Sequence, residues 1–187
     1  LANILSCEWD WIRADEEFAK ALQAYPNYAT SHHWYSIHLL SLGRLDEAIK
    51  ELKIAEELDP LSPMIHAYGG WVYVSARQYD TALAEVDKAL ELDPNFLPAH
   101  LNRVWVYLAK SMFDEAVAEQ ERVLPFLQPL TTTWRALVGT AYAIAGRTEE
   151  AKRILREWEE ASAHERPEDV DHWGFCSLIY LKLGDRN

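Results

Sequence analysis

The chain has 187 residues, 49% of them hydrophobic with only 7 Gly and 8 Pro, which supplies a folded core and excludes a disordered chain. A formal charge of −12 and an isoelectric point near 5.0 argue against nucleic acid as partner, since that affinity comes from Lys and Arg neutralising phosphates. An acidic body suits a neutral or basic partner instead.

Alanines 14, 48, 82, 116 and 151 recur at steps of 34, 34, 34 and 35 residues, and Pro26, Pro60 and Pro94 keep the same beat, as do Trp71 and Trp105. One supersecondary unit is therefore stacked along the chain. In chain order, residues 1–28 read as the end of a unit, with Ala14, Phe18 and Ala21 on one face and Pro26 as the stop. Residues 29–62 form the first full unit. Its first helix is predicted from about Tyr28 to Leu42 and stops at Gly43, a residue suited to a left-handed turn. Its second helix is predicted from about Asp46 to Leu58, with Ala48, Leu52 and Ala55 at helical spacing and Asp59-Pro60 ending the ladder. Residues 63–96 and 97–131 repeat this plan, and residues 132–169 make a fourth full unit. Residues 170–187 read as the first helix of a truncated unit, and Pro125, Pro129 and Pro167 disturb the phasing after residue 129.

These residues resemble the tetratricopeptide repeat, whose helix-turn-helix unit carries W-x2-L-G-x2-Y, then A-x3-F-x2-A, then P. The second half stands as Ala14-x3-Phe18-x2-Ala21, Ala48-x3-Leu52-x2-Ala55 and Ala82-x3-Val86-x2-Ala89, each followed by its proline; it degrades at Ala116, Gln120, Val123 and at Ala151, Leu155, Trp158. The first half is looser, as in His66-x2-Gly69-Gly70-x2-Tyr73, and Leu39 replaces the tyrosine in its unit. The resemblance implies an all-α fold: a right-handed α-solenoid of stacked antiparallel helix pairs, in which small residues let helices approach at the short end of the roughly 8–10 Å range. Cys7 and Cys176 would lie near opposite ends of such a stack, beyond the roughly 7 Å between Cα atoms that a disulfide tolerates.

Charge separates by helix. The stretches Tyr28 to Gly43 and Leu61 to Ala76 hold no Asp, Glu, Lys or Arg, whereas the second helix of the first full unit holds Asp46, Glu47, Lys50, Glu51, Lys53, Glu56 and Glu57. In the family the first helices line a concave groove, so the resemblance implies a charge-poor groove and a solvated outer wall. The expected partner-binding residues are His33, Trp34 and Ile37, then Tyr68 and Trp71, then Leu101, Asn102 and Trp105, an aromatic stripe for an extended or helical peptide. The same tryptophans could equally pack as core. The Lys and Asn clamp with which some family members grip a terminal carboxylate is missing, because its slots hold His33, Ile37, Ala67, Trp71, Leu101 and Trp105.

The 34-residue spacing of His32, His66 and His100 invites a metal ladder, yet ligands of one zinc lie about 2 Å from it and equivalent residues of successive units roughly 10 Å apart, so the histidines read as structural. Carboxylate pairs such as Glu56-Glu57 read as solvated charge. No motif for phosphate, zinc or nucleophile chemistry occurs, so no enzyme, cofactor or metal is expected. The charge-free stretches fall short of the about 20 residues that span a bilayer. The expected role is a protein-interaction scaffold, in a compartment the sequence leaves unspecified with the cytoplasm foremost. Two alternatives stay open. Trp9-Asp10-Trp11 and His32-His33-Trp34-Tyr35 also resemble repeat regions attached to bacterial winged-helix regulators, cyclases and kinases, and the chain boundaries suit such a fragment. Incomplete terminal units could also pair two copies, hiding Ile4, Leu5, Trp11 and Phe18 or Phe175, Leu178 and Leu181.

Overall fold

Apolar residues at helical spacing, punctuated by prolines and left-handed turns, divide the chain into helices of 11 to 15 residues. The computed structural model describes residue 2, residues 10–127 and residues 132–162. Among these, α1 spans Trp11–Ala24, α2 Ala29–Ser41, α3 Leu45–Leu58, α4 Pro63–Ser75, α5 Tyr79–Leu92, α6 Leu97–Ala109, α7 Phe113–Val123, α8 Thr132–Ile144 and α9 Thr148–Ser162. A 3-10 turn, Leu124–Leu127, follows α7 at Pro125, where the proline halts the regular ladder. The architecture is an all-α helical repeat solenoid. Residues Leu1–Val106 and Tyr107–Asn187 form two compact units. The expected helix at 170–187, both cysteines, and the end faces built on Ile4, Leu5, Phe175, Leu178 and Leu181 lie outside the described residues.

The turn inside each helix pair has one solution used four times. Gly43, Arg77, Ser111 and Gly146 all sit in the left-handed region, with φ of 73°, 59°, 60° and 75°. The next amide then reaches back to close the first helix: Arg44 N–H to Leu39 O at 2.9 Å, and Gln78, Met112 and Arg147 N–H to the carbonyls of Tyr73, Tyr107 and Tyr142 at 2.8 Å each. Glycine adopts this conformation freely; Arg77 and Ser111 do not. Arg77→Gly is therefore expected to stabilise the first unit by about 0.5–1 kcal/mol, read as a higher urea midpoint by circular dichroism. An unchanged or lower midpoint contradicts it.

The alanine beat marks the tightest packing. Ala14, Ala48, Ala82, Ala116 and Ala151 are each 0% exposed. In the first unit Ala48 and Ala82 join Leu39, Leu52, Val72, Tyr73 and Val86 in a core that runs from α2 to Val106 of α6. Val117, Val138, Tyr142, Ile154 and Leu155 build the core of the second unit. Since a lone helix pair leaves one apolar face uncovered, each pair depends on its neighbour for burial.

Candidate functional site

The first helices of the first unit are almost free of formal charge: α2 and α4 carry none and α6 only Arg103. On two of them an aromatic falls next to its counterpart one repeat on. The rings of Trp34 and Tyr68 lie 6.2 Å apart across the gap between α2 and α4, and His33 meets Tyr68 edge-on at 5.4 Å and 78°. Trp71 is 42% exposed and Met64 40%, a large apolar surface on a charge-free helix. Trp34, Ile37, Tyr68 and Trp105 are half-buried. His33 and Leu101 are buried, so they back this surface rather than face solvent. Asn102 spends its amide N–H on the Pro98 carbonyl of its own helix at 2.9 Å.

His33 is an anomaly within this group. It is 1% exposed, neither ring nitrogen has a hydrogen-bond partner, and burial pushes its pKa down to about 4. It is a neutral imidazole among rings, held by packing alone.

The repeated histidines do a different job. His32, His66 and His100 each donate Nε2–H to the carbonyl of the proline six residues earlier, at 2.9, 2.9 and 3.0 Å. A carbonyl can only accept, so Nε2 carries a proton, and any bond from Nδ1 to a carboxylate, which also only accepts, requires a second one. Nδ1 of His32 meets Glu51, and Nδ1 of His66 meets Glu85, each a glutamate of the following helix at 2.7 Å. Each such histidine ties the stop of one pair to both helices of the next, which is the structural role expected of the 34-residue spacing.

One unit adds a second carboxylate. Glu56 was expected on a solvated wall, yet its Oε1 is buried without a partner. Donor atoms of Glu56, His66 and Glu85 all lie within 4.8 Å of one another. Burial, and then the neighbouring charge of Glu85, push the Glu56 carboxyl up to about 7. Burial also works against ionisation of Glu85, but the bonds from His66 and Lys88 outweigh it and hold that carboxyl below its usual range. The bond to Glu85 holds His66 above its ordinary value. A cleft of about 480 Å³ between α3 and α5 opens onto Glu56 and His66.

A tetratricopeptide repeat model matches residues 10–63 and 69–129, well over half of the chain. The chain belongs to the tetratricopeptide repeat family. Its fold is similar to TTC0263, a thermophilic tetratricopeptide repeat protein of Thermus thermophilus, with a TM-score of 0.80 at 23% identity over 96% of this chain and 95% of that one. It is also similar to PilW, a type IV pilus biogenesis factor, with a TM-score of 0.76 at 20% identity over 97% and 87%, and to PilF of Pseudomonas aeruginosa, with 0.71 at 14% identity over 97% and 85%. At these identities the likeness concerns the fold. No curated protein sequence matches the chain significantly. Among the described residues, no helix of the repeat array is long and apolar enough to cross a membrane.

Sequence reasoning missed the Glu56 cluster, although a signal existed. The repeat slot occupied by Glu56 holds Leu22 one unit before and Leu90 one unit after. A carboxylate in an otherwise apolar slot marks a departure from the repeat, and it coincides with Gly69, where the neighbouring units place Tyr35 and Arg103. A Cβ built on Gly69 comes 3.5 Å from Glu56 Oε1, an ordinary contact, so the glycine borders the acid without being required by it.

Proposed function

We propose that the first unit of this tetratricopeptide repeat protein is a non-enzymatic scaffold that receives a peptide segment on the surface of α2, α4 and α6. Trp71 carries the reading: it leaves 42% of a large apolar side chain exposed on a helix without formal charge. Partly exposed tryptophans of this kind, set in a surface of aromatic rings, are typical anchors at interfaces. Trp34, Ile37, Tyr68 and Trp105 extend the contact surface along the repeat axis, while His33, Leu101 and Asn102 support it. The partner supplies an apolar anchor residue with neutral or basic flanks, because the site has no charge to pair with an acid and the body carries −12.

The test is selection of peptides from a random dodecapeptide display library on the immobilised chain, followed by anisotropy titration of the enriched sequences. Trp71→Ala is expected to weaken binding by roughly 30-fold or more, as for interface hot spots worth about 2 kcal/mol or above. Helical content and the thermal midpoint should stay near those of the unmodified chain, because Trp71 is exposed. Selected peptides that bind Trp71→Ala and Trp105→Ala with undiminished affinity place the site elsewhere and defeat the proposal.

A further inference from the structure

We propose that Glu56, His66 and Glu85 form a binding site for one divalent first-row cation of the Zn2+ class, clasping α3, α4 and α5. The donor set is one imidazole and two carboxylates, without thiolate, which suits Zn2+ and its N- and O-binding neighbours in the first row. The orientation of the ring supports it. Nε2–H is committed to the Pro60 carbonyl at 2.9 Å, which supplies the backbone partner that a metal-bound imidazole ordinarily has and makes Nδ1 the ligand atom, the ion replacing the proton that Nδ1 shares with Glu85 and releasing it to water. Lys88 occupies Oε1 of Glu85 at 2.7 Å, so Oε2 is the oxygen turned toward His66. Glu56 Oε1 completes the set as a buried oxygen with no partner in the protein.

The distances are compatible with a modest closure. Ligand atoms about 2 Å from one ion stand roughly 3.4 Å apart in tetrahedral geometry. The 2.7 Å contact between His66 and Glu85 must open slightly, and the longer separations, at most 4.8 Å, must shorten by little more than an ångström. Both carboxylates end flexible side chains, so rotation achieves this without moving the helices. The cleft of about 480 Å³ gives the ion an entry route and room for a water on its open position. An ion there compensates two carboxylates crowded into a site where Glu85 is only 5% exposed.

The chain contains its own control. His32 and Glu51 repeat the His66 and Glu85 pair at the same 2.7 Å, but the slot of the third ligand is Leu22. The ordinary repeat thus has the pair without the site, and Glu56→Leu converts the proposed site into that ordinary repeat. The experiment uses the full chain stripped with EDTA, titrated with ZnCl2 alone, with bound metal counted after equilibrium dialysis and thermal midpoints recorded with and without the ion.

The unmodified chain is expected to bind one more equivalent of Zn2+ than Glu56→Leu and to gain a thermal midpoint shift that the variant lacks. Glu56→Gln, which keeps the shape, should lower the affinity of that equivalent at least tenfold. His32→Asn, which alters the control pair, should leave the count unchanged. Equal counts and affinities in the unmodified chain and both Glu56 variants overturn the proposal and assign any bound zinc to other histidines or cysteines. Retained helicity in the Glu56 variants separates lost ligation from lost folding.

Discussion

Replacing Gly70 with Ala is expected to destabilise the first unit by about 2–3 kcal/mol, whereas the same change at the adjacent Gly69 should be neutral or stabilising by up to ~1 kcal/mol. Both glycines lie inside α4, and helix propensity alone favours Ala at each. Packing separates them. A Cβ at Gly70 would meet Val86 Cγ2 at 2.3 Å and the Ala82 carbonyl at 3.4 Å. Val86 is fully buried on α5 and, being β-branched in a helix, has one strongly preferred rotamer, so it cannot swing away. At Gly69 the nearest atom is Leu52 Cδ2 at 3.4 Å, an ordinary contact at the end of a more flexible side chain. Urea denaturation of the two single variants measures the difference. The double variant Gly70→Ala with Val86→Ala removes the obstructing methyls and should be less destabilised than the sum of its parts. Equal loss in the two glycine variants would refute the packing argument and leave only a shared backbone effect.

Lowering the pH from 6.5 to 4 is expected to cost the fold up to about 3 kcal/mol through His33 alone. Its folded pKa of about 4 lies below the ordinary 6.5, so within that window the unfolded chain binds a proton there and the folded chain does not. Stability then falls as pH falls, and above 6.5 the residue is neutral in both states and contributes nothing to pH dependence. His33→Leu places the residue that the repeat uses at Leu101 into a site that is 1% exposed. The variant should be more stable at pH 7.5 by about 1–2 kcal/mol, because a buried ring with no hydrogen-bond partner is replaced by an apolar side chain. Between pH 7.5 and 4.5 it should lose about 2–3 kcal/mol less than the unmodified chain. Parallel urea titrations at the two pH values decide this, and an identical pH-dependent loss in both proteins removes His33 as the cause. Its ring also backs Trp34 and Tyr68, so the peptide surface is expected to loosen over the same pH range.

Much of the fold was legible because its signals are local. Gly43 and Asp59-Pro60 end helices through their own backbone geometry, so α2 and α3 lie within one residue of the spans expected for them. The Ala slots were legible for a related reason: the same helix-to-helix approach recurs, and repetition shows up as periodicity. Arg77 and Ser111 were less readable. They adopt the left-handed turn of Gly43 without the residue that announces it, because the back-bonded amides of Gln78 and Met112 impose it.

The candidate site divides along the same line. Periodicity could select the helices that carry few charges and could place Trp34 beside Tyr68, since both follow from the repeat. It could not rank Trp71 against Leu101, which share a helix type but differ in exposure, 42% against 8%. That ranking depends on which side chains of the neighbouring helix stand opposite.

By itself, then, the sequence determined the repeating helix pair, its stops, its small packing slots and the separation of charge between first and second helices, all properties that every unit shares. Only the tertiary structure decided the fate of residues that break the pattern: Glu56 drawn inward beside His66 and Glu85, His33 buried without a partner, Gly70 pressed against Val86. A repeat is read by averaging over its copies, and a departure from the average acquires meaning only when the particular neighbours that surround it are in place.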